Sequence, residues 1–262
     1  IPLLKRLQGR AARQLGSSGS GNHFVEFGEV DIEEEDAELG LKPGRYLGLL
    51  SHSGSRALGA SVADCYTRIA RQKRRLPGEV NNLAWLDLNE QEGWEYWLAM
   101  NLAGDYSKAC HHVIHGKIAT VLGRRPIARV ENHHNFAWKE FHEGRELIVH
   151  RKGATPAGKD VLGIIPGSMT AKGYIVKGKG EVTSISSAAH GAGRKMSRAA
   201  AANSITHELL KDTLKQYGVK LLGGGLDEAP QAYKNIGEVM RSQGKLVDTI
   251  GLFTPKIVRM DG

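Results

Sequence analysis

The chain has 262 residues, of which 40% are apolar and 24% charged, a profile that excludes disorder as the main state. No window approaches the ~18 uninterrupted apolar residues of a membrane-spanning helix. The opening residues do not read as a secretory signal, and two cysteines, Cys65 and Cys110, are too few for a disulfide scaffold or a cysteine-only metal site. Lys plus Arg is 36 against 28 for Asp plus Glu, a net charge of +8. Six of the acids (Asp31, Glu33, Glu34, Glu35, Asp36 and Glu38) fall in one short stretch, which leaves 36 basic against 22 acidic residues, or +14, in the rest. Such a field favours phosphate-bearing partners, and the expected compartment is the cytoplasm.

In chain order, Leu3, Leu4, Leu7, Ala11 and Ala12 have the spacing of an amphipathic helix face. Helical periodicity recurs over Ala57–Leu76, Glu92–Leu122 and Arg198–Tyr217, the last closed by Gly218 as its C-cap. Runs rich in apolar or alternating residues predict strands at His23–Phe27, Tyr46–Leu50, Ile127–Val130, Leu147–His150, Tyr174–Val176 and Glu181–Ser186. Strand and helix are thus interspersed, with no internal repeat and no Pro/Ser-rich linker, and the expectation is a single domain over 1–262.

Several predicted strands lead into loops of histidine, serine and glycine, an arrangement that aims polar groups from a rigid support. The Gly/Ser loop Gly16–Gly21 precedes Asn22 and His23 and can bring backbone amides to an anion. Ser51–Arg56 follows an apolar strand and opens a helix, so its amides and Arg56 suit phosphate. Glu131–Asn135 holds two adjacent histidines, of which an extended backbone turns at most one toward a given metal. Separated histidines suit borderline cations such as Mn²⁺, Zn²⁺ or Fe²⁺. His111 and His115, one helical turn apart, lack the Glu of a His-Glu-x-x-His site and read as a solvated or packed face.

His190 sits between small residues in Ala188–Arg198, and Arg194 and Arg198, four apart, are expected to share a helical face that holds phosphate oxygens. A neutral imidazole in that setting can attack phosphorus to give a phosphoramidate. Gly173–Gly180 approaches a P-loop but ends in Gly where Ser or Thr must hold Mg²⁺, and its interior reads as strand, so it is rejected.

In order along the chain stand Gly19–Glu26, Ser51–Arg56, His134–Asn135, His150–Ala154, Pro166–Met169, His190–Arg194 and Glu228–Tyr233. Together they strongly resemble the RtcB family. The resemblance implies RNA-splicing and repair ligases that join RNA 3′-phosphate or 2′,3′-cyclic phosphate ends to 5′-hydroxyl ends with GTP and Mn²⁺. It implies an α/β (α+β) fold of packed mixed or antiparallel sheets with surrounding helices and a central basic cleft. By the same resemblance His190 is the histidine that is guanylylated, and His23, His52 and His134 hold two Mn²⁺ ions together with an Asp and a Cys. Asn22 is implied to contact nucleotide phosphate, Glu26 and Tyr233 the guanine, and Ser168, Ala192 and Gly193 to line the nucleotide. Lys152, Arg194 and Arg198 are implied to surround the phosphates and RNA ends, and archease is an implied partner.

Three departures accompany the resemblance. The Asp and Cys ligands belong upstream of Leu15, and Ile1–Gln14 contains neither residue type, so an N-terminal part is expected to be missing. Gly173 stands where a guanine-contacting Ser is expected, and Asp261 where a Lys is. Two alternatives stay open: a metal-dependent RNA phosphoesterase or cyclic phosphodiesterase without a covalent step, and a catalytically silent RNA-binding paralogue.

Overall fold

A computed structural model of the chain describes residues 1–19 and 21–260. Ser20 of the Gly/Ser motif and the terminal Asp261 and Gly262 lie outside the described residues. Helices form at α1 (Pro2–Gln14), α2 (Arg56–Lys73), α3 (Gln91–Leu122), α4 (Arg198–Ser204), α5 (His207–Tyr217) and α6 (Ile236–Ser242). Strands form at β1 (Phe24–Ile32), β2 (Gly44–His52), β3 (Phe136–His142), β4 (Arg145–Arg151), β5 (Ala154–Pro156), β6 (Leu162–Ile165), β7 (Gly173–Gly178), β8 (Ser187–Ala189), β9 (Lys220–Leu221) and β10 (Val247–Met260). No helix among the described residues is long and apolar enough to cross a membrane. The chain divides into two compact units, one of Ile1–His23 with Ser51–Arg124, the other of Phe24–Leu50 with the chain from Arg125 onward.

The first unit is helical. Val62, Tyr66 and Ala99 form its buried centre, and Leu3 and Leu4 of α1 pack on it from the amphipathic face read in the sequence. The Tyr66 and Tyr96 rings meet at 5.3 Å, and the Tyr66 hydroxyl donates to Glu95 at 3.0 Å. Burial first, then this bond, pushes the Tyr66 phenol up to about 12. The Tyr106 hydroxyl ties α3 to α1 by donating to the Ala11 carbonyl at 2.7 Å. Cys110 is fully buried and Cys65 half-buried, as ordinary packed thiols are.

The second unit is built on a six-stranded sheet of order β2-β1-β10-β7-β6, with β9 beside β10. The pairings β1/β10, β10/β7 and β6/β7 are antiparallel, and β9/β10 is parallel. The β1 residues Val30 and Ile32 turn into a core with Leu39, Ile175 and Phe253. Phe253 fills the space that Gly28 and Gly48 leave on neighbouring strands, where a Cβ at either position would overlap its ring. Around this sheet lie the β3/β4 hairpin and the short β5/β8 ladder. A second core of Met169, Ala201, Ile205, Leu210 and Val258 forms under α4 and α5. Arg151, only 3% exposed, is clamped by both oxygens of Glu140 and by Ser187 Oγ at 2.8 Å, with its guanidinium 5.0 Å from the Trp138 ring.

Four local expectations are corrected. Arg198–Tyr217 is two helices, because Ile205 turns into the core and Thr206 caps a new start by accepting from the Leu209 amide at 3.2 Å. Ile127–Val130 makes no strand; Ala128 and Val130 instead pack against the core on Val30 and Phe253. Glu181–Ser186 contains a 3₁₀ turn, where the Glu181 carboxylate accepts from the Thr183 amide at 3.1 Å and offers the backbone an alternative to a ladder. The segment from His190 to Ser197 is not helical, so Arg194 and Arg198 do not share a helical face. Gly218 does close α5, in the left-handed conformation at φ 64°. Gly173–Gly178 is strand, as the rejected P-loop requires.

Candidate active site

In the first unit the structure brings His23 and His52 together, with ring centres 5.6 Å apart. His23 follows the Gly/Ser loop, and His52 ends β2. Gly19, at φ 113°, lies so close to the Arg56 guanidinium and the His23 ring that a Cβ there would overlap both. That close approach explains the glycine. Ser53, itself buried, donates its hydroxyl to the Ser18 carbonyl at 2.6 Å, which fastens the loop before His23 to the segment after His52. Asn22, exposed, sits in the bend before β1.

In the second unit His134 and His190 stand with ring centres 5.0 Å apart. The backbone that places them is a set of side-chain-to-peptide bonds. Asn132 bridges to β6, its carbonyl oxygen accepting from the Ile164 amide at 3.1 Å and its amide donating to Thr155 Oγ1 at 2.8 Å. Asn135, at φ 54°, accepts from the Gly153 amide at 3.1 Å. His190 leaves the end of β8, its amide donating to the Gly153 carbonyl at 3.4 Å, and the Gln243 side chain holds the preceding Ala189 amide. The His190 ring lies over Gly153, where a Cβ would be 3.8 Å from Nδ1 and Cε1. Gly191 and Gly193 follow, the second at φ 71°, while Ala192 is buried in the core with Ile165 and Ile236. Lys152 is exposed on the β4–β5 turn, and Ser168 lies half-buried in the loop after β6.

Arg194, Arg198 and Tyr233 also come together, though around acids to which sequence reading gave no role. Arg194 bridges to Tyr233 through the backbone, places its guanidinium 5.1 Å from the phenol ring, and reaches Glu228 at 3.2 Å. Arg198 reaches Glu228 at 2.8 Å and Asp227 at 3.4 Å. The Tyr233 hydroxyl donates to Glu228, which is buried. Burial first, then the Glu228 hydrogen bond and charge, raise the Tyr233 phenol above its ordinary value. Glu228 was visible in Glu228–Tyr233, but nothing in the spacing says that it balances two guanidinium groups. Glu26, on the buried face of β1, is 6% exposed, and burial pushes its carboxyl up to about 8.

One ion bonded to two imidazoles at about 2.1 Å holds their ring centres roughly 5–6 Å apart, a range that contains both the His23–His52 and the His134–His190 spacings. Within either unit the described residues gather no group of three or more His, Cys, Asp or Glu side chains as a metal cluster.

The sequence profile described as "tRNA-splicing ligase RtcB" matches residues 3–260. The RNA-splicing ligase RtcB of Escherichia coli K12 is 31% identical over 252 residues, covering 91% of this chain and 59% of that protein. The tRNA-splicing ligase RtcB of Thermococcus kodakarensis is 35% identical over 270 residues, covering 88% of this chain and 56% of that protein. That of Pyrococcus furiosus is 34% identical over 276 residues, covering 90% and 28% respectively. The chain therefore spans little more than half the length of most of these relatives, and less of the last. A profile match over residues 3–260, nearly all of its length, makes this chain a member of the RtcB family.

Proposed function

We propose that this chain acts as a GTP- and manganese-dependent RNA ligase that joins RNA 3′-phosphate or 2′,3′-cyclic phosphate ends to 5′-hydroxyl ends. The observation that carries the reading is the setting of His190: a half-buried imidazole at a strand end, beside His134 and over Gly153, with small residues on both sides. A ring nitrogen of His190 attacks the α-phosphorus of GTP, an N–P bond forms, and pyrophosphate leaves. A 2′,3′-cyclic phosphate end is first opened by water, with cleavage of the bond to O2′, to the 3′-phosphate, whose oxygen then takes GMP from His190 as the N–P bond breaks. The 5′-hydroxyl oxygen attacks the activated 3′-phosphorus, its proton passes to solvent, and GMP departs. Arg194, Arg198 and Lys152 supply the cationic surroundings for phosphate oxygens. Because Arg194 and Arg198 already rest on Glu228 and Asp227, they are oriented before substrate arrives.

Asn22, Ser168, Ala192 and Gly193 contribute to the nucleotide surroundings in this reading, with Glu26 and Tyr233 as the guanine contacts. His23, His52 and His134 are the residues that would hold Mn²⁺, which when bound offsets phosphate charge and aligns in-line displacement. Archease is a candidate activating partner. The test is RNA joining with Mn²⁺, using one strand ending in 3′-phosphate and one beginning with 5′-hydroxyl. Product is expected with GTP and absent without it, and His190→Ala abolishes it; joining that persists in His190→Ala would overturn the reading.

A further inference from the structure

We infer that Ser51, Ser53, His111 and His115 are positioning residues that set the His23–His52 pair, an inference that rests on reading that pair as metal ligands. Ser51 Oγ lies 2.7 Å from His111 Nδ1 and 2.8 Å from His115 Nε2, two rings one turn apart on α3. The other nitrogen of His111, Nε2, lies 3.1 Å from the Ser53 carbonyl oxygen and 3.3 Å from the Ser53 amide nitrogen. One imidazole therefore bridges the side chain of residue 51 and the peptide of residue 53. The residue between them is His52.

Ser51 lies near the end of β2 and Ser53 just beyond the strand end, so the two flank His52 on either side. Holding both neighbours against α3 fixes the backbone at position 52 and so the direction of its Cα–Cβ bond. One set of tautomers satisfies the short contacts with neutral rings: His111 Nε2–H donates to the Ser53 carbonyl, Ser51 donates to His111 Nδ1, and His115 Nε2–H donates to Ser51. Ser53 extends the same support to His23. Its hydroxyl donates to the Ser18 carbonyl at 2.6 Å, in the loop that leads to His23, and Ser17 Oγ in turn donates to the Gln14 carbonyl at 2.6 Å at the end of α1. The His23 ring packs over Gly54, where a Cβ would stand 3.3 Å from its Cε1 and Nε2. Both imidazoles of the pair thus hang from one hydrogen-bonded frame anchored on α1 and α3.

The experiment uses the whole chain with histidine rings labelled. In metal-free protein a ring-to-ring NOE between His23 and His52 is expected. It is lost in His111→Leu and weakened in Ser53→Ala, while the Tyr66–Tyr96 NOE survives as evidence of folding. His111→Gln, which keeps a polar group near the Ser53 peptide, restores part of it. Mn²⁺ titration should follow in parallel, with affinity down about 10–100-fold in the disrupting variants, the usual loss when an outer partner of a metal-binding imidazole is removed. An unchanged His23–His52 NOE in both His111→Leu and Ser53→Ala overturns the positioning role. Should His111→Leu unfold, Ser53→Ala alone decides. If Mn²⁺ affinity is the same in wild type and His52→Ala, the metal reading falls instead, and the NOE result still decides whether the frame positions the pair.

Discussion

Glu26→Gln is expected to make the fold more stable as the pH rises, because the buried carboxyl is the group the sheet is least able to hold charged. Glu26 lies on the inward face of β1, opposite Val258 of β10, and burial pushes its carboxyl from 4.5 up to about 8. A folded-state value above the unfolded one means that the contribution of Glu26 is fully present below pH 4.5 and is lost as the pH rises toward 8. With each pKa unit equal to about 1.4 kcal/mol, linkage gives a loss of about 2.5 kcal/mol between pH 5 and pH 7. Urea unfolding of wild type and Glu26→Gln at half-unit pH steps isolates this term, since other titrations cancel in the difference. The variant should gain on wild type by that amount over the window, and the Glu26 carboxyl carbon should titrate near pH 8 by NMR. A stability difference that stays flat from pH 5 to pH 8 would show that Glu26 is not held neutral by burial.

Four further substitutions test the packing. Arg151→Met removes the cation from a buried pair with Glu140 and should cost about 3–5 kcal/mol in urea unfolding; a loss below 1 kcal/mol would contradict its structural weight. Gly178→Ala drives a Cβ into the backbone of Ala157 and Gly158 and should cost about 1–3 kcal/mol or more, whereas Gly116→Ala, exposed on α3 with open space around it, should gain up to about 1 kcal/mol. Gly173→Ser introduces a Cβ at ordinary contact, 3.5 Å from the Phe253 Cβ. It should change the melting temperature little and, if this position faces guanine, lower the KM for GTP; a collapse in stability would show that β7 has no room there.

The long helices were legible because periodicity and caps agree over many residues. Gly218 read correctly as a C-cap because a left-handed turn leaves few alternatives to glycine. β10 was missed, although it is the longest strand and lies between β1 and β7, because Gly251 and Pro255 break its alternation. The structure absorbs them where the register shifts, between Thr249 and Gly251 and between Phe27 and Gly28 opposite Pro255. Glu181–Ser186 misled in the opposite sense, since a carboxylate capping its own backbone outweighs a β-like composition. At the candidate site, the motifs singled out His23, His52, His134 and His190, and the structure sets their rings in two pairs, His23 with His52 and His134 with His190. His111 and His115 were read as a packed or solvated face; they are packed, but onto Ser51, a contact sixty residues back along the chain that no local pattern encodes. The same holds for Glu228, whose partners Arg194 and Arg198 lie about thirty residues upstream.

In the proposed reaction the His190 imidazole carries the nucleotide. Peptide mapping by mass spectrometry after incubation with GTP and Mn²⁺ locates the adduct. A guanylyl group on the peptide containing His190, released by acid and absent from His190→Ala, is the expected result. A guanylyl group on any other side chain, or RNA joined by His190→Ala, would contradict it.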